Sequence, residues 1–411
     1  MNLAPALALL LGLASLAPCR AQTEFGGEIR PSVVVQRNAD RGPLASAALL
    51  LPGVSLPPTD IQELQAELHA RLYGFSGTAS VITTRTSNAS TRVATGFNEL
   101  YWSGGAGPLQ LTVGRRIVSW DVGSGFRPND VVQQEARRLL VPTTPVGRDV
   151  VMVERYDATT AWSLVLVNPG ESRDRRGPRE PALAARYYRQ EGAVDWHVIA
   201  RYGARTRGSI GAAAAWVVSD STELHGSLRY LQSADSIAMD PGDPVVASGN
   251  PWRPAIVRGA AQALVGGTWT SARQLSVLAE AWWDGVALSD DQWAAWNSRN
   301  RQLGSLANSA VPASALGANL AWQADAFSVS SNLRRLNVYA RAGWKYRSLE
   351  PAVDLLHTPS DGGSIWTLSL GWQGESVRVE GGARFFGGRR DAVILQTPIR
   401  RIFYAYGSWR F

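Results

Sequence analysis

Four histidines, His69, His197, His225 and His357, are all the imidazole this 411-residue chain offers for chemistry. His197 follows Asp195 and His225 follows Glu223 by two positions, the carboxylate–imidazole pairing that acid–base catalysis uses and that is also ordinary on any watered wall. His357-Thr358-Pro359-Ser360 brings a hydroxyl near a ring with no third member. Nucleophile elbow, zinc-binding His-Glu-x-x-His, Gly-rich phosphate loop and cysteine cluster are all missing, Cys19 being the one cysteine. Asp235, Asp240 and Asp243 are the only oxygen donors grouped as a calcium ion would want them, and loops rich in Asp and Gly are common without one. The expectation is a chain with no catalysis, no cofactor and no metal.

What remains is charge. Lys and Arg number 41 against 34 acids, a formal +7, and Lys345 is the only lysine. So strong a bias to arginine reads as genomic base composition. A nucleic-acid partner would call for a basic stripe or a known motif, and the chain has neither. The informative charges recur at period two. Arg341, Lys345, Arg378, Glu380, Arg384 and Arg410 alternate with apolar residues, as do Glu63, Glu67, Arg71, Asp195, Arg201, Glu223, Arg229 and Glu280. Lining one face of a wall, such mixed charges either satisfy one another or, with arginine in excess, favour anions.

The elements that place them are strands. Leu64 to Leu72, Val194 to Tyr202, Leu224 to Tyr230, Leu336 to Trp344 and Val377 to Phe385 each set apolar residues opposite polar ones, although the first would also suit a helix. A soluble sandwich shares this pattern. The aromatic residues decide against it: Tyr101-Trp102, Trp120, Trp162, Tyr187-Tyr188, Trp282-Trp283, Trp344, Trp366, Trp372 and Phe385-Phe386 fall near strand ends, where interfacial girdles lie. Beyond the N-terminus no apolar run reaches the roughly 20 residues of a spanning helix, so a membrane protein of this composition must be a closed barrel. We expect an all-β, transmembrane antiparallel β-barrel of about 16 strands, within a range of about 14 to 18.

Both ends agree. Ala6 to Leu16 is an apolar run of signal-peptide length, and Cys19-Arg20-Ala21 supplies small residues at both cleavage subsites, giving residues 1–21 as signal peptide and 22–411 as barrel. Leu16-Ala17-Pro18-Cys19 is also lipobox-like, with Pro18 against that reading. Tyr404-Ala405-Tyr406-Gly407-Ser408-Trp409-Arg410-Phe411 alternates up to an aromatic final residue. This ending resembles the terminal strand of bacterial outer-membrane barrels, whose last residue is typically Phe. The resemblance implies an outer-membrane location, lipid and the barrel assembly machinery as partners, and Phe411 as the assembly signal.

One segment resembles a signature. Leu109 to Trp120 reads as a strand running into Asp121-Val122-Gly123-Ser124-Gly125-Phe126-Arg127-Pro128-Asn129-Asp130. Gly114-Arg115, then Trp120, a glycine-bearing turn and Pro128-x-Asp130 resemble a pattern in porin-like outer-membrane families, including alginate-export-like barrels, over about twenty residues. Those families often have Gly after the Trp, where this chain has Asp121. The resemblance implies a passive or export channel for a solute or polymer it does not identify. Arg115 or Arg116 would stand at a strand end within reach of Asp121 or Asp130. Arg127 and Asp130 would either stitch the turn to the wall or tune selectivity. Val131 to Leu140 has helical composition and could fold into the lumen and narrow it.

Three polar insertions, 168–181 with Arg173-Asp174-Arg175-Arg176, 240–254, and 284 to about 312, are expected as loops. In the third, Ser289-Asp290-Asp291 before Gln292 reads as an N-capped helix. Residues 38–60 fit no strand and are either a periplasmic segment or a partial plug. Glu350 to Gly363 should close a hairpin at Asp361-Gly362-Gly363. The functional expectation is an outer-membrane porin-like or export channel with mild anion preference, Arg115, Asp121, Arg127, Asp130, Arg341, Arg378, Glu380 and Arg384 being its pore and loop candidates. A barrel enzyme and a non-conducting assembly or adhesion barrel are the alternatives.

Overall fold

The computed structural model of the chain describes residues 23–87, 89–134, 136–172, 179–240 and 242–411. The signal-peptide residues, the Arg173–Arg176 cluster and Glu135 lie outside the described residues. Alternation produces strands throughout: β1 (Glu24–Asn38), β2 (Asp60–Leu72), β3 (Phe75–Thr86), β4 (Ala89–Ala106), β5 (Leu109–Arg116), β6 (Arg148–Tyr156), β7 (Thr160–Val167), β8 (Ala182–Glu191) and β9 (Val194–Gly203). The second half adds β10 (Arg207–Ser219), β11 (Thr222–Met239), β12 (Trp252–Thr270), β13 (Leu275–Asp284), β14 (Leu336–Trp344), β15 (Leu349–Thr358), β16 (Gly363–Gln373), β17 (Val377–Gly388) and β18 (Ile399–Arg410). Each pairs antiparallel with its sequence neighbour, and β18 pairs with β1, Glu28 opposite Arg410, closing the barrel. Among the described residues the strands number 18, the top of the expected range rather than its midpoint of sixteen.

The two faces divide as the period requires. Leu64 and Leu68 are each 50% exposed on the outside, whereas Gln65 between them is 3% exposed and faces in. A polar inside and an apolar outside invert a soluble protein and fit hydrocarbon. The outward aromatics form two rings. Trp162, Trp196, Trp216, Trp269, Trp344, Trp372 and Trp409 are exposed at one end of the strands, and Tyr202, Tyr230, Trp283, Trp366 and Phe403 toward the other. On β9, β16 and β18 the two rings are six residues apart, roughly 20 Å at the rise of a strand. Trp120 and Trp282 depart from the girdle expectation: both are buried inside, 6% and 2% exposed. Trp120 lies beyond β5, and Trp282 holds the inward phase of β13.

The two ends differ as much as the two faces. The start of β1 and the end of β18 share one end with the short turns, such as Tyr73-Gly74, where both residues take positive φ (48° and 82°) as a tight two-residue hairpin needs. The opposite end carries the long excursions, 39–59, 117–147, 168–181, 240–251 and 285–335. Residues 39–59 belong here, with the long loops, rather than beside the termini. They contain helix α1 (Pro43–Leu50), which packs on the last excursion.

That excursion runs to 335 rather than 312, because the apolar stretch Ala313–Trp322 forms helix α3 where a strand would otherwise begin. Before it stands α2 (Asp290–Ser305), with the expected cap: the Gln292 amide donates to Ser289 Oγ and the Ser289 amide to Gln292 Oε1. Ala47 of α1, Leu303 of α2 and Leu316 and Leu320 of α3 form one core, and Trp293, Trp296, Phe327 and Val393 another. Together they cap the long-loop end. The Asp361-Gly362 hairpin forms between β15 and β16 as expected.

Candidate functional site: a lumen narrowed from one wall

The segment between β5 and β6 leaves the wall at Ile117, earlier than the alternation of Leu109 to Trp120 suggests, and turns into the lumen. Its entry is held by the Ile117 amide, which donates to Glu99 Oε1 at 2.9 Å. The described residues of 131–140 are irregular, without the helix their composition invites. Val118, Trp120, Val131 and Val132 bury themselves instead on inward apolar residues of the adjoining strands, Val150, Met152, Val165, Val167, Ala184 and Ile199. Burying this surface outweighs intrinsic helix preference.

Residues 119–130 form a self-bracketed turn. Asp130 Oδ1 accepts from Ser119 Oγ, the Trp120 amide and the Asp121 amide at 2.8, 2.9 and 3.2 Å. Asp121 accepts from the amides of Val122 and Asn129 at 2.9 and 2.5 Å. Arg127 donates to Gly123 O and Ser119 Oγ and stands 3.8 Å from Asp130. Burial pushes both carboxyls up, against the pull of these donors. Thus Asp121, Arg127 and Asp130 come together. Arg115 does not join them: it pairs with Asp149 on β6 at 2.9 Å, and Arg116 approaches Glu154 at 3.7 Å.

The turn crosses to the far wall. Asn129 Nδ2 donates to Ser227 Oγ, Ala212 O and Leu228 O at 2.8–3.2 Å, and Arg229 donates to Pro128 O at 2.9 Å. Glu280, 2% exposed, receives the Ser124 and Gly125 amides at 2.7 and 2.6 Å and faces His225 Nε2 at 2.9 Å. Phe126 stacks on Trp282 at 6.0 Å, and Arg138 lies over the same indole at 5.0 Å. Single-residue reading missed Glu280 and Asn129. A usable cue was the apolar character of both faces of β6 and β7, the mark of a strand covered on both sides.

The segment leaves two cavities. One, of 470 Å³, lies over Phe126–Gln134 and carries four arginines (148, 201, 207, 229) against four acids (130, 180, 235, 284). The other, of 290 Å³, lies between Arg137–Leu140, residues 331–334 and the β14–β18 wall, with five arginines (137, 138, 334, 341, 384) against Asp354 and Glu380. A third, of 200 Å³, shares Arg341, Ser369 and Glu380 with it and continues to Trp344 and Lys345 near the short turns. Arg341 holds Asp354 at 2.9 and 3.0 Å, with Tyr339 OH on the same carboxylate. Arg378 bridges Glu350 and Glu380 at 2.7 and 2.9 Å, and Tyr404 and Tyr406 also donate to Glu380. Arg384 donates to Thr367 Oγ1 and to the carbonyl of Arg138. Burial, then the charge of Arg384, pushes Arg138 down to about 10, which leaves it protonated at neutral pH.

Elsewhere the weighed ligand residues are spoken for. Asp235 pairs with Arg205 and Asp243 with Arg253, and among the described residues no group of three metal donors forms. Glu180 fastens the 168–181 loop to the next loop along. Burial alone would raise its pKa, but Thr206 Oγ1, the Arg205 and Thr206 amides and Arg201 outweigh that and hold it lowered. A lowered carboxyl contributes stability in full above its unfolded pKa of about 4.3, and loses it as pH falls through the folded value. The melting midpoint of the native chain should therefore drop from pH 6 to pH 3 by more than that of Glu180→Gln. Equal drops would remove this role for Glu180.

No protein-family model and no curated protein matches the chain. Among solved structures, Pseudomonas aeruginosa OccK8 (OprE) aligns at TM-score 0.55 and 10% identity, covering 95% of this chain and 98% of its own. Pseudomonas aeruginosa OccK5 (OpdH) aligns at TM-score 0.53 and 9% identity over the same shares. A mutant of the Rh. blastica porin aligns at 0.46 and 10%, covering 95% and 100%. At these identities the likeness is one of fold.

Proposed function

We propose that this chain is an outer-membrane porin-like channel of a Gram-negative bacterium, passing small solutes along the β14–β18 wall with a preference for anions. The observation that carries the reading is a closed barrel, apolar outside and polar inside, narrowed from one wall so that two arginine-bearing cavities, sharing Arg341, Ser369 and Glu380, remain along the other. A residue at the long-loop end meets Arg334 and Arg384 first, then Arg341, then Arg378 and Lys345 near the short turns. Excess fixed positive charge at close quarters attracts anions and repels cations. In this reading residues 1–21 are removed on export, the assembly machinery recognises Phe411, both termini face the periplasm, and the long loops face outward. The reading assigns no catalysis to the chain: His225 faces Glu280 at 2.9 Å, and the His197 and Tyr188 rings lie 5.1 Å apart, tilted.

The test is single-channel recording of the refolded mature chain in a planar bilayer under a salt gradient. Discrete steps with a reversal potential on the anion side are expected, and Arg341→Glu with Arg384→Glu should move it to the cation side. A folded but silent barrel would overturn the proposal. Steps without anion preference would retain the channel and discard the arginine-set selectivity.

A further inference from the structure

Two arginines oppose each other on the outer wall, at the seam where the barrel closes. Arg37 of β1 and Arg401 of β18 are register partners, both exposed, on the outward phase that carries Val35 and Phe403 one step below them. Among the described residues neither side chain makes an ion pair or a hydrogen bond, whereas Arg400, next to Arg401, pairs with Asp40 at 3.2 Å. Asp60, outward on β2 opposite Val35, accepts from Thr59 Oγ1 and pairs with neither. Like charges set directly opposite on a sheet repel, and an anion between them turns that repulsion into attraction. The pair stands just beyond the aromatic ring that includes Phe403, the level at which lipid headgroups lie.

Below the pair the wall is hollow. Between Phe403 and Trp409 the outward positions of β18 hold only Ala405 and Gly407, with Gly381 of β17 opposite Ala405 and Pro31 of β1 opposite Gly407. An open groove of 840 Å³ runs from this hollow across β1 to Val33 and Leu64, and its margin toward the long loops carries Gln62 and Arg85. Polar above, apolar below and headed by unpaired guanidiniums, this face is the complement of an anionic lipid. We propose that it binds one lipid of the surrounding leaflet whose headgroup bears a phosphate monoester, the phosphate between Arg37 and Arg401 and an acyl chain in the groove. A monoester, with about two negative charges, matches two guanidiniums better than a diester with one. The site lies outside the lumen and rests on the channel reading only for its leaflet: with the long loops outward, the lipid belongs to the outer one.

Native mass spectrometry of the refolded barrel in detergent tests binding independently of conduction, with diphosphoryl lipid A, phosphatidylglycerol and phosphatidylcholine as probes. Lipid A should add one molecule per chain, phosphatidylglycerol should bind more weakly and phosphatidylcholine least. Arg37→Gln and Arg401→Gln should each weaken lipid A about tenfold, and Ala405→Trp, which fills the hollow, should weaken it with both arginines in place. Arg155→Gln, on the outward phase beside Trp162 at the opposite end of the wall, should leave it unchanged. Far-UV circular dichroism checks that each variant is folded, and either arginine variant suffices if the other fails to fold. Lipid A binding unmoved in the folded arginine variants, or matched by phosphatidylcholine, would overturn the proposal. Phosphatidylglycerol binding as tightly as lipid A would overturn its monoester half. A dimer or trimer free of lipid would make this face a contact between copies of the chain and overturn the proposal. Lipid A bound by a barrel silent in the bilayer would refute the channel and keep the site; conduction without bound lipid A would do the reverse.

Discussion

Replacing residues 119–144 by a short glycine–serine link should raise single-channel conductance about fivefold, the largest change any single edit of this barrel offers. Eighteen strands about 4.8 Å apart and tilted about 40° enclose a wall of roughly 18 Å radius, and side chains reduce the free radius to roughly 12 Å. A passage of about 4 Å radius, the order of magnitude for a lumen filled down to small cavities, has about a tenth of that cross-section. The cap of α1, α2 and α3 stays in place, so the rise falls short of the full ratio. Removing only 131–140 should raise conductance less, because the bracket at 119–130 and its anchors on Asn129 and Glu280 remain. Recordings at matched salt decide the matter, and an unchanged conductance in the longer deletion would show that the narrowing lies elsewhere.

Changing Glu280 to Ala should have the second largest effect. The substitution leaves two inward amides, those of Ser124 and Gly125, and the buried His225 ring without their acceptor. Breaking such a buried, charged cluster typically costs about 3–5 kcal/mol. The cost falls on the contact between the segment and β13, since the strands themselves keep their ladders. The expected result is a noisier channel with sojourns at higher conductance and a lowered melting midpoint. Glu280→Gln, which keeps one side-chain oxygen as acceptor, should be quieter than Glu280→Ala. A Glu280→Ala channel as quiet as the native one would separate Glu280 from the position of the segment.

Much of this was legible from spacing alone. The period of two in Leu64–Leu72, the aromatics at strand ends and the Phe411 ending are each local signals, and the closed barrel with its two aromatic rings realises them. The Ser289 cap is equally local, since both of its bonds lie within four residues. What was not legible depends on partners far along the chain. Glu280 is one more inward acid until Ser124, 156 positions away, is known to lie against it. Trp120 looks like a girdle residue until the chain leaves the wall at Ile117. Helix preference in 131–140 yields to burial against β6–β9, which only the closed sheet provides. Arg384 resembles Arg341 and Arg378 in the sequence; only the structure shows that it bonds Thr367 and the Arg138 carbonyl where they bond carboxylates.

The inward segment also dictates an order of assembly. Four of its buried apolar residues, Val118, Trp120, Val131 and Val132, contact β6 to β9, the strands that follow it directly, and its polar bracket spans only residues 119–130, whereas Phe126 reaches Trp282 on the later β13. Contacts of short sequence separation form early, and those of long separation late. The segment can therefore settle on its own neighbouring strands while the sheet is still open. Barrel closure, by contrast, joins Glu28 to Arg410 across nearly the whole chain. A segment of this bulk could hardly be threaded into a finished cylinder capped at one end. It is built into the sheet as a seam and enclosed by it, so the narrowest part of the lumen is shaped before there is a lumen to narrow.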